Sequence, residues 1–541
     1  IGAGGAGLRA AIAASNENVE VLVVSKGHFP EECNTAAAGG AMLAPLGKND
    51  SWEQYMSDIL KAGSSVNYHH LVKVMARDAG PRALDLERYG AKYFRKDGEI
   101  YLWPSNDNQR PRVLPAGTPY SGDWFKALTG EAQRLDIKVQ DRVMITGLLK
   151  SGATVIGAIG LEIETESIIV IYAKSVILTS GGAGSIYTFS SNQKGTTGDG
   201  LVLAYKAGAA LSHLEFVQMR QCIIYPHELK GMLPPFDGFV SAGGRFYNGL
   251  HERYMKRYHP DNLENVTRAE IAKCAQLEII AERESTHGGI YGDLSGVPEK
   301  SLNRVKNFMS ACRKIDFDPT FQSLEWAPAS HHTMGGVLIN ASCQTGVLGL
   351  FAAGEVAAGV QGANRMGGNA LTETQVFGAI AGKSAAKRAL TTEPPQPNPQ
   401  FPKELSAHIA TILRTKNGTS YQKVRAKIAR IMSEDIGVIR HKEGLENAEK
   451  LLAEIEATQI SNLFLGWDRT FDRIAQLFEV PNMLALGQLM VQATLLRTES
   501  RGAHQRQDFP ETDPSWEKHI VFRSSMVGPE VRTVPATYTE P

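Results

Sequence analysis

Short apolar runs followed by glycine-rich turns recur along the chain. The run at 19–24, VEVLVV, comes after an apolar segment at 8–15 whose spacing is helical. Further runs at 175–180 and 348–353 also end at glycines. Strand, turn, helix and strand in this order predict an α/β fold with a Rossmann-like parallel sheet. The chain opens inside what the pattern predicts to be the end of the first strand, so we expect residues upstream of Ile1.

The pattern changes twice farther along the chain. Residues 221–325 mix short strands, proline and glycine turns and helices, which predicts an inserted α+β domain. A proline-rich linker at 393–399 then precedes charged segments with helical spacing, at 401–416, 421–439 and 443–457. We therefore expect a discontinuous nucleotide-binding domain over 1–220 and 326–392, followed by a helical C-terminal domain over 400–541.

Composition excludes several classes of function. The chain has 541 residues, with 57 Lys and Arg against 57 Asp and Glu. A pI near 7.4 and a mean hydropathy of -0.20 indicate a soluble multidomain protein without broad attraction to nucleic acid or anionic membranes. We find no apolar run of the roughly 18 residues that a membrane span requires.

The cysteines indicate a reducing setting. They are five in number and scattered, without CxxC spacing, at Cys33, Cys222, Cys274, Cys312 and Cys343. This arrangement predicts neither a disulfide framework nor a zinc or iron–sulfur site within the chain, and we predict no metal site. A cytoplasmic location is the default for such a protein.

The opening glycines fit a pyrophosphate-binding turn. Gly2, Gly4 and Gly7 match GxGxxG, in which glycines permit a tight turn and close approach of backbone N–H groups to phosphate. The acidic residue that an NAD site usually has at the end of the second strand is absent, and Ser25 and Lys26 stand there instead. The pattern therefore favours a dinucleotide other than NAD.

Several longer motifs carry a family resemblance that covers nearly the whole chain. They lie at 2–7, 23–26, 34–40, 197–200, 331–336, 354–355, 362–369 and 497–504. Together they resemble the flavoprotein subunits of the succinate dehydrogenase/fumarate reductase family. That family also contains L-aspartate oxidase and, more distantly, the adenylylsulfate reductase flavoprotein.

The resemblance implies that the cofactor is FAD. The residues that it assigns to FAD are Gly2, Gly4, Gly5, Ala6 and Gly7 at the pyrophosphate, Ser25 and Lys26 at the adenosine, Thr35, Gly39 and Gly40 near the isoalloxazine ring, Asp199 along the flavin, Glu355 at a hydroxyl group, and Asn369 and Leu371. Asn34 stands where membrane-bound members have the histidine that carries flavin covalently. We therefore expect non-covalent FAD.

The resemblance also implies a carboxylate-binding site. His331 and Arg365 match the residues that grip the substrate carboxylate, and Arg268 matches the proton donor or acceptor of fumarate reduction and succinate oxidation. Arginine suits carboxylate binding because its planar fork bonds both oxygens. Such chemistry needs these cations beside the flavin, together with an acid or base on the opposite face of the substrate.

Three segments depart from the dicarboxylate pattern. The usual His-Pro-Thr is replaced by Arg220 and its neighbours Gln and Cys, so one carboxylate clamp becomes an arginine. The loop that normally supplies a Thr-Glu pair and a relay arginine aligns with 236–240, where Asp237 replaces the glutamate. The stretch at 121–124 is more similar to the adenylylsulfate reductase branch. We expect the pocket to differ in shape from that of the dicarboxylate enzymes.

Three functions remain open from the sequence. The first is a catalytic subunit that acts on a small dicarboxylate and exchanges electrons with a separate iron–sulfur subunit. The second is an L-aspartate oxidase-like or adenylylsulfate reductase-like flavoenzyme for a different acid, and the third is a flavin-binding subunit without activity. The motif at 497–504, RTESRGAH, favours the first. This subunit would be cytoplasmic, or at the inner face of the membrane through partner subunits.

Overall fold

A computed structural model describes residues 1–38, 41–104, 108–114, 122–233, 239–240, 242–303, 306–415 and 417–539. Residues 1–2 lie at the centre of the parallel sheet of the nucleotide-binding domain. Gly2 N donates to Val24 O (2.7 Å) on one side, and Thr179 N donates to Ile1 O (2.8 Å) on the other. The hydrogen-bonded order across this sheet is Lys138–Gln140, Leu22–Val24, residues 1–2, Val176–Leu178 and Leu350–Ala352. The predicted Rossmann-like sheet is confirmed.

Gly378 and Gly382 of a long later helix let the first helix lie directly on it, and a Cβ at Gly378 would lie 2.7 Å from the carbonyl oxygen of Ala6. Gly5–Ser15 packs along Asn369–Leu390, and a Cβ at Gly382 would lie only 2.2 Å from the carbonyl oxygen of Ala10. Ile12 of the first helix is fully buried in a core cluster with Leu86 and Leu128 of two neighbouring helices. This packing fixes the position of the glycine turn at 2–7 relative to the start of the long helix.

The nucleotide-binding domain consists of the following elements. Its helices are Gly5–Ser15, Asn34–Ala37, Trp52–Ala62, His69–Arg88, Gly122–Arg134, Asp199–Ala207 and Asn369–Leu390. Its strands are Leu22–Val24, Met42–Leu43, Arg95–Lys96, Glu99–Ile100, Val113–Leu114, Lys138–Gln140, Val143–Ser151, Thr154–Glu162, Ser167–Tyr172, Val176–Leu178, Leu211–Ser212, Gly336–Val337 and Leu350–Ala352.

The inserted domain, called the cap below, is built on an antiparallel sheet. The strand order is Val217–Tyr225, Leu324–Thr333, Ile290–Asp293 and Arg245–Tyr247. The cap helices are Met255–Tyr258, Arg268–Ile280, Glu299–Leu302 and Lys306–Lys314. The boundaries proposed from sequence at 220 and 325 both fall inside the first two of these strands, which continue from the nucleotide-binding domain into the cap.

The C-terminal domain is helical as far as Leu496. Its helices are Gln400–Arg414, Tyr421–Asp435, Lys442–Thr458 and Phe471–Leu496, with short strands at Thr419–Ser420, Ile439–Arg440, Leu463–Phe464 and Gln505–Arg506. Phe471–Leu496 has the length and apolar composition of a membrane-crossing helix. However, 72% of its most apolar window is buried inside the protein, which is the position of a core helix.

The last part of the chain is not helical. Lys518–Ser525 and Gly528–Pro535 form a hairpin, and the first of these strands pairs antiparallel with Leu211–Ser212. The expected helical domain over 400–541 therefore gives way to strands near its end. The sequence did not indicate this because the partner strand, only two residues long, lies about 300 positions earlier.

Candidate active site

A cavity of about 2170 Å³ lies between the nucleotide-binding domain, the cap and the C-terminal domain. The glycine turn lines it, as do Arg220 and Arg268 of the cap and Arg425 and Glu479 of the C-terminal domain. Pockets for drug-sized ligands usually have roughly 300–1,000 Å³. The cavity therefore has room for a large cofactor together with a small substrate.

The glycine turn is packed too tightly for side chains. Gly2 has φ +107°, and a Cβ there would lie 2.3 Å from the carbonyl oxygen of Thr179. A Cβ at Gly7 would lie 1.8 Å from the carbonyl oxygen of Gly2. Gly2, Gly4, Gly5 and Ala6 line the cavity, whereas Gly7 supports the turn from behind. The helix starts at Gly5, so its positive end faces the cavity and suits a pyrophosphate.

Lys26 is held by carboxylates from two domains. Its Nζ donates to Asp199 Oδ2 (2.6 Å) and to Glu479 Oε1 (2.9 Å). Arg425 forms an ion pair with the other oxygen of Glu479. Burial raises the pKa of Asp199, but Lys26 outweighs it and lowers that pKa on balance. The second strand has no acidic residue at its end, but Asp199 and Glu479 supply carboxylates at this position from other segments. Asp199 contacts Lys26 at the predicted adenosine end of the cavity.

The residues near the predicted flavin ring are fixed by a neighbouring loop. Asn34 Nδ2 donates to Asn192 Oδ1 (2.8 Å), and Gln193 N donates to Asn34 Oδ1 (2.9 Å). Thr35 Oγ1 accepts a hydrogen bond from Gly5 N (3.0 Å). Asn34, Thr35 and Ser25 all line the cavity.

Glu355 lines the cavity beside the motif at 331–336. Its Oε1 accepts a hydrogen bond from Thr333 N (3.0 Å) and lies 3.4 Å from His332 Nδ1. Burial raises the pKa of Glu355 to about 7. Burial also raises the pKa of Glu373 to about 7, to which the charge of Glu355 contributes. Near neutral pH both carboxyl groups therefore hold a proton part of the time.

A chain of buried polar side chains continues from Glu373. Gln361 Nε2 donates to Glu373 Oε2 (2.6 Å), and Asn369 Nδ2 donates to Gln361 Oε1 (2.9 Å). The Tyr55 hydroxyl donates to Asn369 Oδ1 (2.5 Å). Asn369 therefore lies in this buried chain behind the cavity wall, whereas Leu371 lines the cavity itself.

The two long cap strands gather the cationic residues. Their register pairs Gln218 with His332 and Arg220 with Ala329, with an irregularity after Gln218. Arg365 donates through Nε and Nη2 to Gln218 Oε1 (3.2 and 3.0 Å). Gln218 Nε2 in turn donates to the Arg365 carbonyl oxygen (2.8 Å). Gln218 therefore orients the guanidinium of Arg365.

His331 faces several positive charges. Its Nδ1 lies 2.8 Å from Ser191 Oγ, which orients the ring. Burial, followed by the charges of Arg365, Arg220 and Arg268, lowers the pKa of His331 well below its usual value. The imidazole is therefore neutral at physiological pH, and the positive charge of this end of the cavity comes from arginines. The predicted substrate residues that the structure describes do converge at one place.

Three predicted site residues lie outside the part of the chain that the structure describes, and several residues of the site were not predicted. Gly39, Gly40 and Asp237 lie outside the described residues. Ser191 and Glu373 were not predicted, and Glu479 lies 453 positions from Lys26, so no local pattern could reveal it. Gln218 could have been found, since it lies two residues before Arg220, where the sequence departs from the dicarboxylate pattern.

The cavity suits FAD. The glycine turn offers backbone N–H groups and a helix N-terminus to a pyrophosphate. The tight fit of Gly2 against Thr179 leaves space at the turn only for backbone, as close approach of N–H groups to a pyrophosphate requires. The fold and the site therefore define an FAD-dependent oxidoreductase. Residues 1–371 match the FAD binding domain family, and residues 425–541 match the fumarate reductase flavoprotein C-terminal family.

Known proteins resemble the chain over nearly its full length. One subunit of the fumarate reductase (CoM/CoB) of Methanothermobacter marburgensis is 35% identical over 533 residues, which cover 97% of this chain and 96% of that protein. The fumarate reductase flavoprotein subunit of Mycobacterium tuberculosis is 31% identical, with 100% and 97% covered. The E. coli quinol fumarate reductase structure superposes with a TM-score of 0.89 at 26% identity, with 99% and 96% covered. The chain belongs to the fumarate reductase/succinate dehydrogenase flavoprotein family.

Proposed function

We propose that the chain is the catalytic subunit of a complex that interconverts fumarate and succinate. The observation that carries this proposal is that Arg220, Arg268, Arg365 and His331 line the same cavity as the residues suited to FAD. Three arginines can neutralise both carboxylates of a four-carbon dicarboxylic acid. The names of the relatives from Methanothermobacter and Mycobacterium support the same substrate class.

Each cation has a distinct task in this proposal. Arg365, oriented by Gln218, binds one carboxylate through its planar fork, and Arg220 binds the second carboxylate. The neutral ring of His331, oriented by Ser191, donates a hydrogen bond to a carboxylate oxygen. FAD, when bound, supplies the hydride acceptor and donor at flavin N5. Arg268 gives a proton to the substrate carbon next to the hydride-exchanging carbon, or takes one from it.

Electrons then need a route beyond this chain. The five cysteines lack the clustered spacing along the sequence that is typical of iron–sulfur ligands. We therefore include a separate iron–sulfur protein as the electron-transfer partner. The complex would be cytoplasmic, or held at the inner face of the membrane through its partner subunits.

The test is anaerobic flavin absorbance of the purified protein. The enzyme is reduced chemically and mixed separately with fumarate, iminoaspartate and adenylylsulfate. We expect fast reoxidation by fumarate, and a matched Arg365→Lys variant should be much slower because it loses two-point carboxylate binding. Reoxidation by iminoaspartate or adenylylsulfate, without a response to fumarate, would instead support the second candidate, a flavoenzyme for a different acid.

The electron donor is tested in the same apparatus. The oxidised enzyme, with and without co-purified partner subunits, is mixed with reduced CoM and CoB, the pair named for the Methanothermobacter relative. A brown iron–sulfur chromophore that co-purifies with the chain would support the partner proposal. Oxidation of succinate with oxygen as the sole electron acceptor, without any partner, would contradict it and favour a self-contained oxidase.

A further inference from the structure

The cap carries a cluster of metal-ligand side chains outside the carboxylate site. His259 directly follows the short helix Met255–Tyr258, and Glu270 and Cys274 lie one turn apart on helix Arg268–Ile280. Their ligand atoms all lie within 4.8 Å of one another. We propose that His259, Glu270 and Cys274 bind one Zn²⁺ ion, with a fourth position open to water.

The geometry of the first two ligands already suits zinc. His259 Nε2 lies 3.3 Å from Glu270 Oε2. Zinc bonds of about 2.0–2.2 Å to nitrogen and oxygen, at a tetrahedral angle, place two such ligands about 3.3–3.5 Å apart. An ion inserted between them therefore replaces the hydrogen bond without separating the side chains.

The third ligand selects the kind of ion. Cys274 lies four residues after Glu270, so both side chains project from the same face of the helix. A set of thiolate, imidazole and carboxylate favours zinc or a similar soft divalent ion over magnesium or calcium, which prefer oxygen ligands alone. Binding requires the thiol to give up its proton to solvent, so one proton is released for each ion bound.

The cluster is reachable from solvent. The side chains of His259 and Glu270 are 27% and 30% exposed, and Cys274 lies buried beneath them. Lys273 Nζ lies 3.9 Å from Glu270 Oε1, a distance too long for a hydrogen bond. This weak ion pair is readily displaced by a divalent ion.

A bound ion would connect two segments of the cap next to Arg268. Arg268 is the first residue of the helix that carries Glu270 and Cys274. A bound ion would fasten the first turns of this helix to the segment after Met255–Tyr258. We therefore expect Zn²⁺ to slow local opening of the cap at 255–280, whichever substrate the cavity takes.

Zinc binding to the holoenzyme tests the proposal. Equilibrium dialysis with metal analysis should show one Zn²⁺ per chain, and Cys274→Ser and His259→Ala should each weaken it about 10-fold or more. Zinc X-ray absorption should show one sulfur at about 2.3 Å and nitrogen or oxygen ligands near 2.0 Å. Hydrogen exchange at 255–280 should slow when Zn²⁺ is added.

Matched controls come from the same domain. Cys312 is a buried cysteine elsewhere in the cap, and His287 pairs with Glu325 at 2.6 Å. Cys312→Ser and His287→Ala should leave zinc affinity unchanged. If Cys274→Ser misfolds and loses its flavin spectrum, Glu270→Gln serves as the test variant instead, because the Glu270 side chain is partly exposed. Absence of saturable binding, equal loss in the controls, or a coordination sphere without sulfur would overturn the proposal.

Discussion

Lys26 Nζ lies 2.9 Å from Glu479 Oε1, although the two residues are 453 positions apart. Glu479 belongs to the core helix Phe471–Leu496, and its other oxygen is held by Arg425. The end of the second strand therefore faces a carboxylate supplied by the C-terminal domain. This contact makes the C-terminal domain one wall of the cavity that suits FAD.

We expect Glu479→Gln to weaken FAD binding about 10-fold and to lower the melting temperature, because two partly buried cations lose a shared carboxylate. The measurement is a flavin fluorescence titration of the apoprotein. Glu449→Gln, an exposed change on the neighbouring helix Lys442–Thr458, is the control. An FAD affinity equal to that of the control would show that Glu479 only supports the fold.

Removal of the proposed acid should abolish turnover without loss of cofactor. We expect Arg268→Ala to reduce kcat by roughly 100- to 10,000-fold, the usual contribution of a positioned acid or base. The flavin spectrum and the FAD content should stay unchanged. Arg313→Ala, on the exposed side of another cap helix, should retain full activity. Substantial activity in Arg268→Ala would mean that another group transfers the proton.

Arg220, which stands where the family resemblance places a histidine, should control carboxylate affinity. We expect Arg220→Gln to raise the KM for fumarate about 10-fold or more, since a charge-assisted bond contributes about 1.5–3 kcal/mol. Arg220→His should recover part of this loss, because an imidazole can still donate to a carboxylate. Arg245→Gln, exposed on the same sheet, is the control. Failure of Arg220→His to recover any affinity would direct attention to the loop at 236–240.

Local motifs predicted the nucleotide-binding part well, because a strand, a glycine turn and a helix are neighbours in sequence. Residues 2–6 of the glycine turn, Lys26 and Glu355 all line the cavity. The sequence assigned Asn369 to a motif but could not show whether its side chain lines the cavity. Its bonds to Gln361 and Tyr55 hold it behind the cavity wall instead. The local sequence pattern does not specify contacts between distant segments.

The same limit explains the C-terminal hairpin and the cap. Lys518–Ser525 forms a strand because Leu211–Ser212 offers it an edge, and no periodicity in either segment specifies this pairing. Similarly, His259 comes close to Glu270 and Cys274 only after the cap has folded, so the spacing of these residues along the sequence could not reveal the cluster. Tertiary packing decides both features.

FAD should dissociate from the denatured protein. Asn34 stands where the family resemblance places the attaching histidine, and its amide bonds to Asn192 and Gln193. After acid precipitation we expect all flavin in the supernatant, and no fluorescence at the protein band of a denaturing gel. Flavin that remains with the precipitated chain would reveal covalent attachment through another residue.

The raised pKa values of Glu355 and Glu373 should make the stability of the apoprotein depend on pH. Burial raises the pKa of Glu373 from its ordinary 4.5 to about 7. Between these values the folded state holds more protons than the unfolded state, so the free energy of unfolding falls as pH rises. Glu373 should contribute a loss on the order of 1–3 kcal/mol across this window. Glu373→Gln removes the titration but keeps an acceptor for Gln361.

We therefore expect the melting temperature of Glu373→Gln to fall less than that of the wild type between pH 5 and pH 8. Buried histidines such as His331, whose pKa is lowered, act in the opposite sense, because their unfolded forms take up protons as pH falls. The difference between variant and wild type reports the titration of Glu373 together with its coupling to Glu355. Glu404→Gln, an exposed change on Gln400–Arg414, should follow the wild-type curve. Parallel curves for Glu373→Gln and the wild type would mean that Glu373 is ionised throughout this range.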